Sequence, residues 1–399
     1  MPKLKALSIF ATYSELPKLL GKLNFFIAFI GRFPYAMNII GVLTLITVAT
    51  GSVSKAAALS AVQAIATGIG NPILGRLTDL FGQRIPLIIA AIGNFLGLTA
   101  LILSASANTP VIILVLICIL IGITNAPLGA FARVRWYHVS KTSPQLSSAL
   151  SWESTADEMS FVFGPAIVGI ASSLIAPTAP LIISASIVIS CIIPFALSKH
   201  APGPTKSAVS GTSPKFTVIL KRVSGTLIAM LGLGMFFGAM QTATTASALA
   251  FGNAGAAGLI YAALGFGAAI TALGAVLLPE SFSQIMRIIT GGITLALLTQ
   301  LCTLPHSAGL LALTLFIAGL AIGPASVAIF TVTGNRAPDG GSATAITALG
   351  SMNVLGVSTT ALIAGNLVEL NPTYGFYVAG CAALIITLGG LISALQNHS

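Results

Sequence analysis

The ten residues Gly75-Arg76-Leu77-Thr78-Asp79-Leu80-Phe81-Gly82-Gln83-Arg84 stand between two long apolar runs, AAALSAVQAIATGIGNPIL (56–74) and IPLIIAAIGNFLGLTALILSA (85–105). A run of about 20 apolar residues crosses the hydrocarbon core of a bilayer. The decade therefore reads as a polar turn joining two membrane-spanning helices. The rest of the chain follows this pattern. It has 399 residues, 56% hydrophobic and only 7% charged, against about 25% charged in soluble domains. Its mean hydropathy is +1.00. The predicted class is an all-α integral membrane protein.

Twelve spans are predicted, at approximately 25–49, 55–77, 85–106, 109–131, 146–173, 177–198, 223–249, 254–278, 286–304, 307–332, 342–368 and 373–395; they are called spans 1 to 12. The first apolar run lacks a small-residue cleavage site after it, so it is expected to be a retained helix. If the N-terminus is inside, the inner segments hold sixteen of the eighteen basic residues, from Lys3 and Lys5 to Arg287 and Arg336, with Arg133 and Arg135 among them. Only Lys55 falls outside, and Arg32 falls within span 1. This asymmetry predicts both termini in the cytoplasm. The net charge of +10 then reports topology and affinity for anionic lipid, and no nucleic-acid partner is expected. Cys118, Cys191, Cys302 and Cys381 all lie in apolar stretches and read as reduced thiols with no metal or disulfide spacing.

The longest polar connection, KHAPGPTKSAVSGTSPKFTVILKR (199–222), is basic and rich in Pro and Ser. It divides the chain into two six-helix bundles, 1–198 and 223–399, joined by a cytoplasmic linker with a short interfacial helix near Phe216–Arg222. The bundles look duplicated. Span 2 aligns with span 8, placing Gly68 on Gly267 and Gly75 on Gly274; span 4 aligns with span 10, placing Gly122 on Gly319 and Pro127 on Pro324.

The loop 75–84 resembles the loop signature of the major facilitator superfamily, a Gly followed four residues later by Asp, then Gly and basic residues, although Leu80 stands where the family has Arg. The resemblance implies two pseudo-symmetric bundles with a site between them at mid-membrane. It also implies a conformational gate made by Gly75, Arg76, Asp79, Gly82 and Arg84. Asp79 would meet the N-terminal end of span 11, at Gly340-Gly341-Ser342, and latch the outward-facing state. In span 5, Phe163-Gly164-Pro165 resembles the Gly-Pro signature of facilitator drug:proton antiporters, with fewer glycines, and marks a helix kink at Gly164 and Pro165. The preceding stretch from Ser148 to Glu158 is similar to span 5 of actinobacterial efflux facilitators. A multi-pass protein of the bacterial inner membrane is the implied location.

Three of the eight acidic residues, Glu153, Asp157 and Glu158, lie in span 5. Each charge at mid-bilayer costs roughly 2.5–3.5 kcal/mol on insertion scales, so groups kept there point to an ion or substrate path. Glu153 and Asp157, four apart, share a helix face, and Glu158 points about 100° from Asp157. Glu153 lies nearer the cytoplasm and is assigned to the gate, pairing with Arg76, Arg84 or Arg133. Asp157 and Glu158 are assigned to proton coupling. Arg32 is expected either to pair with one of them or to snorkel to the inner surface. Tyr35, Asn38, Gln63, Asn125, Gln241, Tyr261 and Asn353 are candidate substrate-binding residues, although each alone also fits an interhelical hydrogen bond. Met235, Phe236, Phe237 and Met240 could form an adaptable apolar wall.

The expected function is alternating-access secondary transport by a monomer: proton-coupled efflux of a small amphipathic or cationic compound, with no cofactor beyond the proton gradient. The alternative is a proton symporter for uptake of a sugar, amino acid or organic anion, with Arg32 on the substrate. No catalytic, metal or phosphate-loop constellation points to an enzyme, and His138, His200, His306 and His398 have no metal-ligand neighbours.

Overall fold

Three of the predicted spans, 1, 4 and 10, are broken. The computed structural model describes residues 13–105 and 108–396; Lys3, Lys5 and His398 lie outside the described residues. Span 1 is two helices, Lys22–Ile30 and Phe33–Thr50. Pro34 has no N–H to continue the turn. The Arg32 amide bonds to the Phe29 carbonyl instead of that of Ala28. The Arg32 Nε takes the freed Ala28 carbonyl at 3.0 Å. Span 4 is likewise two helices, Val111–Ile123 and Leu128–Val139, parted at Thr124–Pro127. It runs eight residues beyond its predicted end at 131, so Arg133 and Arg135, expected in a cytoplasmic segment, are buried inside the protein.

The other spans are Val53–Phe81, Arg84–Ser104, Ser143–Leu174, Ala179–Leu197, Ser224–Ala250, Ala257–Leu277, Gln284–Leu301, Ala308–Arg336 (itself parted at Leu320), Ser342–Val368 and Pro372–Leu395. Eleven of the twelve are long and apolar enough to cross a membrane. The exception is span 5, Ser143–Leu174, which carries the three acids; its 32 residues still reach about 48 Å at 1.5 Å per residue. Outward stripes such as Ile65, Ile69 and Ile73 are about half exposed, as a lipid-facing helix surface requires. Spans 4 and 10 begin and end at the same relative positions, Val111–Val139 and Ala308–Arg336.

A large apolar core gathers side chains from 229 to 386 alone, and another gathers side chains from 42 to 185. The two sets of spans meet where span 2 packs on span 11 and span 5 on span 8, with span 5 also reaching span 10. The linker contains short helices at Lys206–Val209 and Phe216–Arg222 and clamps the loop 75–84: Thr205 donates to the Asp79 carbonyl through its amide (3.1 Å) and hydroxyl (3.0 Å). Residues 13–20 form a helix on this linker face, with Leu16 and Leu20 buried against Trp136. Tyr13 there donates to the Leu273 carbonyl of span 8 at 2.7 Å.

Gly122 lets spans 2 and 4 touch backbone to backbone, and its counterpart Gly319 does the same for spans 8 and 10. A Cβ on Gly122 would stand 2.5 Å from the Gln63 carbonyl oxygen and 2.6 Å from Ala66 Cβ. Gly122→Ala is therefore expected to destabilise the protein by about 1–3 kcal/mol, read as a lower unfolding temperature in detergent. Gly169→Ala, where nothing lies within 4 Å, is expected to be neutral or stabilising by up to about 1 kcal/mol.

Candidate functional site

The loop Gly75–Arg84 is built for one contact. Span 2 carries Asp79 to the start of span 11. Asp79 Oδ1 accepts the Ala343 amide at 3.0 Å, and Oδ2 accepts the Thr344 amide at 2.9 Å and hydroxyl at 2.6 Å. These are amides of a helix first turn, which lack intrahelical acceptors, and the helix dipole favours a carboxylate there. Gly75 admits the approach, since a Cβ would meet the Ala343 carbonyl oxygen at 2.7 Å. Gly82 ends span 2 at φ +79°, a value that favours glycine. Arg76 reaches toward the Gly340 carbonyl at 3.5 Å. Arg84 is exposed and makes no ion pair among the described residues. Asp79→Asn replaces one acceptor oxygen by a donor facing donors. It is expected to raise the linker-side-open population roughly tenfold, on the order of 1–2 kcal/mol, measured by labelling a cysteine introduced at Thr347, which the closed interface buries.

Deeper in span 5 the acids meet two arginines. Arg32 pairs with Glu153 and, at 2.8 Å, with Asp157 Oδ1, and its Nη1 donates to the Glu153 carbonyl at 2.9 Å. Trp136 Nε1 donates to Glu153 Oε1 at 2.6 Å. Arg133 Nη1 pairs with Asp157 Oδ2 at 2.7 Å. This corrects the expected pairings. Glu153 does not join Arg76, Arg84 or Arg133, because it shares a helix face with Asp157 and both acids point at the broken turn of span 1. Glu158, about 100° away, does not meet Arg32; it makes no ion pair or hydrogen bond among the described residues and is 7% exposed. The three carboxylates and two guanidiniums leave this buried group one negative charge in excess when all are ionised.

Two cavities between the halves share Tyr35, Glu158, Phe161, Phe237 and Asn353. The smaller, about 90 Å³, also has Arg32, Arg133, Asp157 and Phe330 in its wall. The larger, about 300 Å³, extends along Ile39, Ile40, Pro165, Gln241, Thr245 and Tyr261. Tyr35, Gln241, Tyr261 and Asn353 thus face the space where a substrate would lie.

Asn38, Gln63 and Asn125 do not line either cavity. Asn38 donates to Asn125 Oδ1 at 3.2 Å and accepts from Ser184 at 2.5 Å, inside the first bundle. Gln63 is fully buried with both amide atoms unpartnered. Residues 35, 36, 39 and 40 form the cavity face of span 1, and Asn38 lies off that face. Of the expected apolar wall only Phe237 reaches the cavities; Phe236 and Met240 are fully buried in the core. Gly164 packs span 5 on span 1, where a Cβ would meet Ala36 Cβ at 2.8 Å, and Pro165 sits within a continuous helix. Phe161 and Phe330 escaped the sequence reading of the site, and Arg133 was considered there only as a partner for Glu153, not for Asp157. The break Asn125-Ala126-Pro127 was the available signal for Arg133, since a helix restarting at Leu128 carries it one turn onward into the protein.

Twelve spans among the described residues, in two packed sets with cavities and buried charges between them, have the architecture of a membrane transporter. The chain matches the Major Facilitator Superfamily over residues 24–280 and belongs to that family of secondary transporters. Among solved structures it is similar to the human organic anion transporter MFSD10 (TETRAN), with a TM-score of 0.70, 15% identity, and 94% of this chain and 99% of that one covered. It is also similar to FucP in the outward conformation, with a TM-score of 0.68, 14% identity, and 96% and 99% covered. Comparison with curated protein sequences finds no match. At these identities the likeness is one of fold.

Proposed function

We propose that the protein exchanges protons for a small amphipathic monocation, exporting it from a bacterial cell, and that Glu158 is the carboxylate for which the two compete. The observation that carries this reading is the uncompensated charge. Arg32 and Arg133 satisfy Glu153 and Asp157, while Glu158 faces both cavities and makes no ion pair or hydrogen bond of its own among the described residues. Burying a lone carboxylate is costly, so the site favours being neutralised by one proton or one monovalent cation. The apolar and aromatic lining of the larger cavity suits the body of such a ligand, and Gln241, Tyr261 and Asn353 supply hydrogen bonds.

An organic anion or sugar acid taken up with protons would need a free arginine. Both arginines in the cavity wall are already held by acids, which argues against that alternative. The latch of Asp79 on span 11 closes the linker face, which the basic asymmetry assigns to the cytoplasm, and the larger cavity lies away from it. This arrangement supports an outward-facing conformation. The test is transport in proteoliposomes under an imposed pH gradient. A permanently charged amphipathic monocation should move opposite to the proton flux, and neutral or anionic analogues of the same size should not. Movement of anions with the proton would instead support uptake.

A further inference from the structure

Arg133 touches more than its counter-ion. It is 1% exposed, its Nη2 donates to Ser154 at 3.3 Å, and its guanidinium carbon lies 3.6 Å from the ring centre of Phe330 in span 10. Phe330 belongs to the opposite half. The same short helix of span 4 makes a second crossing, where Tyr137 lies against the Gly334 backbone of span 10. A single side chain thus bridges a carboxylate that lines the smaller cavity and an aromatic face on the partner bundle.

We infer that Arg133 is a positioning residue that transmits the charge state of Asp157 to the contact between the two halves. With Asp157 ionised, the guanidinium is paired on one side and stacked on Phe330 on the other, and the closed linker face buries it at little cost. With Asp157 neutralised, the closed state holds a buried cation with one hydroxyl, one ring, an unpartnered Nε and no ion pair, Glu158 acting on it only across the smaller cavity. Opening the linker face hydrates that cation, so neutralisation favours opening. The groups around Asp157 are consistent with this. Arg32 and Tyr35 face it from span 1, Arg133 from span 4, and Glu153 and Glu158 share its helix. Tyr261 of span 8 stands beside Glu158, and the cavity face of span 10 offers Ser326 and Phe330 without a charge. Arg32 cannot substitute for Arg133 as the bridge, because its partners Ala28, Glu153 and Asp157 all belong to its own half. The inference needs only that the linker face opens and closes, and holds whatever the substrate proves to be.

The experiment measures opening without any substrate. Spin labels at exposed Lys141 and Glu280, one on each half of the linker face, report the inter-half distance; exposed Cys381 is first replaced by Ser, the other three cysteines being buried. Asp157→Asn is expected to raise the open-to-closed ratio about tenfold. In the Arg133→Gln background the same substitution should add nothing, because no cation remains to be stranded. An equal effect of Asp157→Asn in both backgrounds overturns the inference. Phe330 supplies a second test with both charges intact. Phe330→Leu should raise the open ratio about fivefold, and Phe330→Trp should restore closure, since stacking strength follows the aromatic face. Leu and Trp behaving alike would refute the stacking contact as the bridge.

Discussion

Glu158→Gln is expected to abolish proton-driven transport while leaving the protein folded and able to exchange bound substrate across the membrane at equilibrium. Glutamine matches the carboxylate in size and makes no demand for a counter-ion, so the cavity wall that Glu158 shares with Tyr35 and Phe161 keeps its shape. It cannot bind or release a proton, and it cannot neutralise a monocation. The affinity for a monovalent cation should fall by about tenfold to a hundredfold, the size of one partly desolvated charge pair, about 1.5–3 kcal/mol. Uphill transport driven by a pH gradient should vanish altogether, as measured by substrate accumulation in proteoliposomes. Asp157→Asn should behave differently. That position is already paired with two arginines, so its neutralisation is expected to disturb conformation more than cation binding.

Arg32→Ala should be the most destabilising single change in the charged site. The guanidinium is 3% exposed and holds Glu153, itself 1% exposed, together with Asp157 and two backbone carbonyls. Its removal leaves Glu153 with only the Trp136 indole. Stranding a buried charge of this kind costs about 3–5 kcal/mol, and it frees the Ala28 carbonyl at the break in span 1. The expected result is a marked drop in unfolding temperature and in yield from the membrane. Adding Glu153→Gln to Arg32→Met should recover much of the loss, since no isolated charge then remains. If the double variant is as unstable as Arg32→Ala, the ion pair is not what holds spans 1 and 5 together.

The span pattern was legible in the sequence because hydropathy averaged over about twenty residues reports the lipid-facing requirement directly. Spacing showed the loop 75–84 only as a tight turn with a carboxylate in it. The pairing of Asp79 with the start of span 11 was what its resemblance to the major facilitator loop signature implied. The breaks in spans 1 and 4 were not visible in this way. An average over twenty residues cannot register a single lost hydrogen bond at Pro34 or Pro127, and these losses are what set the depth of Arg32 and Arg133. Span 4 also continues beyond its apolar run because protein, not lipid, surrounds Arg133 and Arg135. Helical phase alone correctly set Glu158 apart from Asp157. It did not show which face of span 1 turns to the cavity, since packing against spans 2, 5 and 6 decides that. Asn38 and Asn125 were therefore placed on the wrong side.

The central claim is that one carboxylate, Glu158, is shared in turn by a proton and a monocation. It is tested most directly by measuring protons released when a permanently charged amphipathic monocation binds the purified protein in weakly buffered detergent solution. The account predicts release of about one proton per cation bound at saturation, the charge excess of the buried group, and no release from Glu158→Gln. Binding without proton release, or release that persists unchanged in Glu158→Gln, would contradict it.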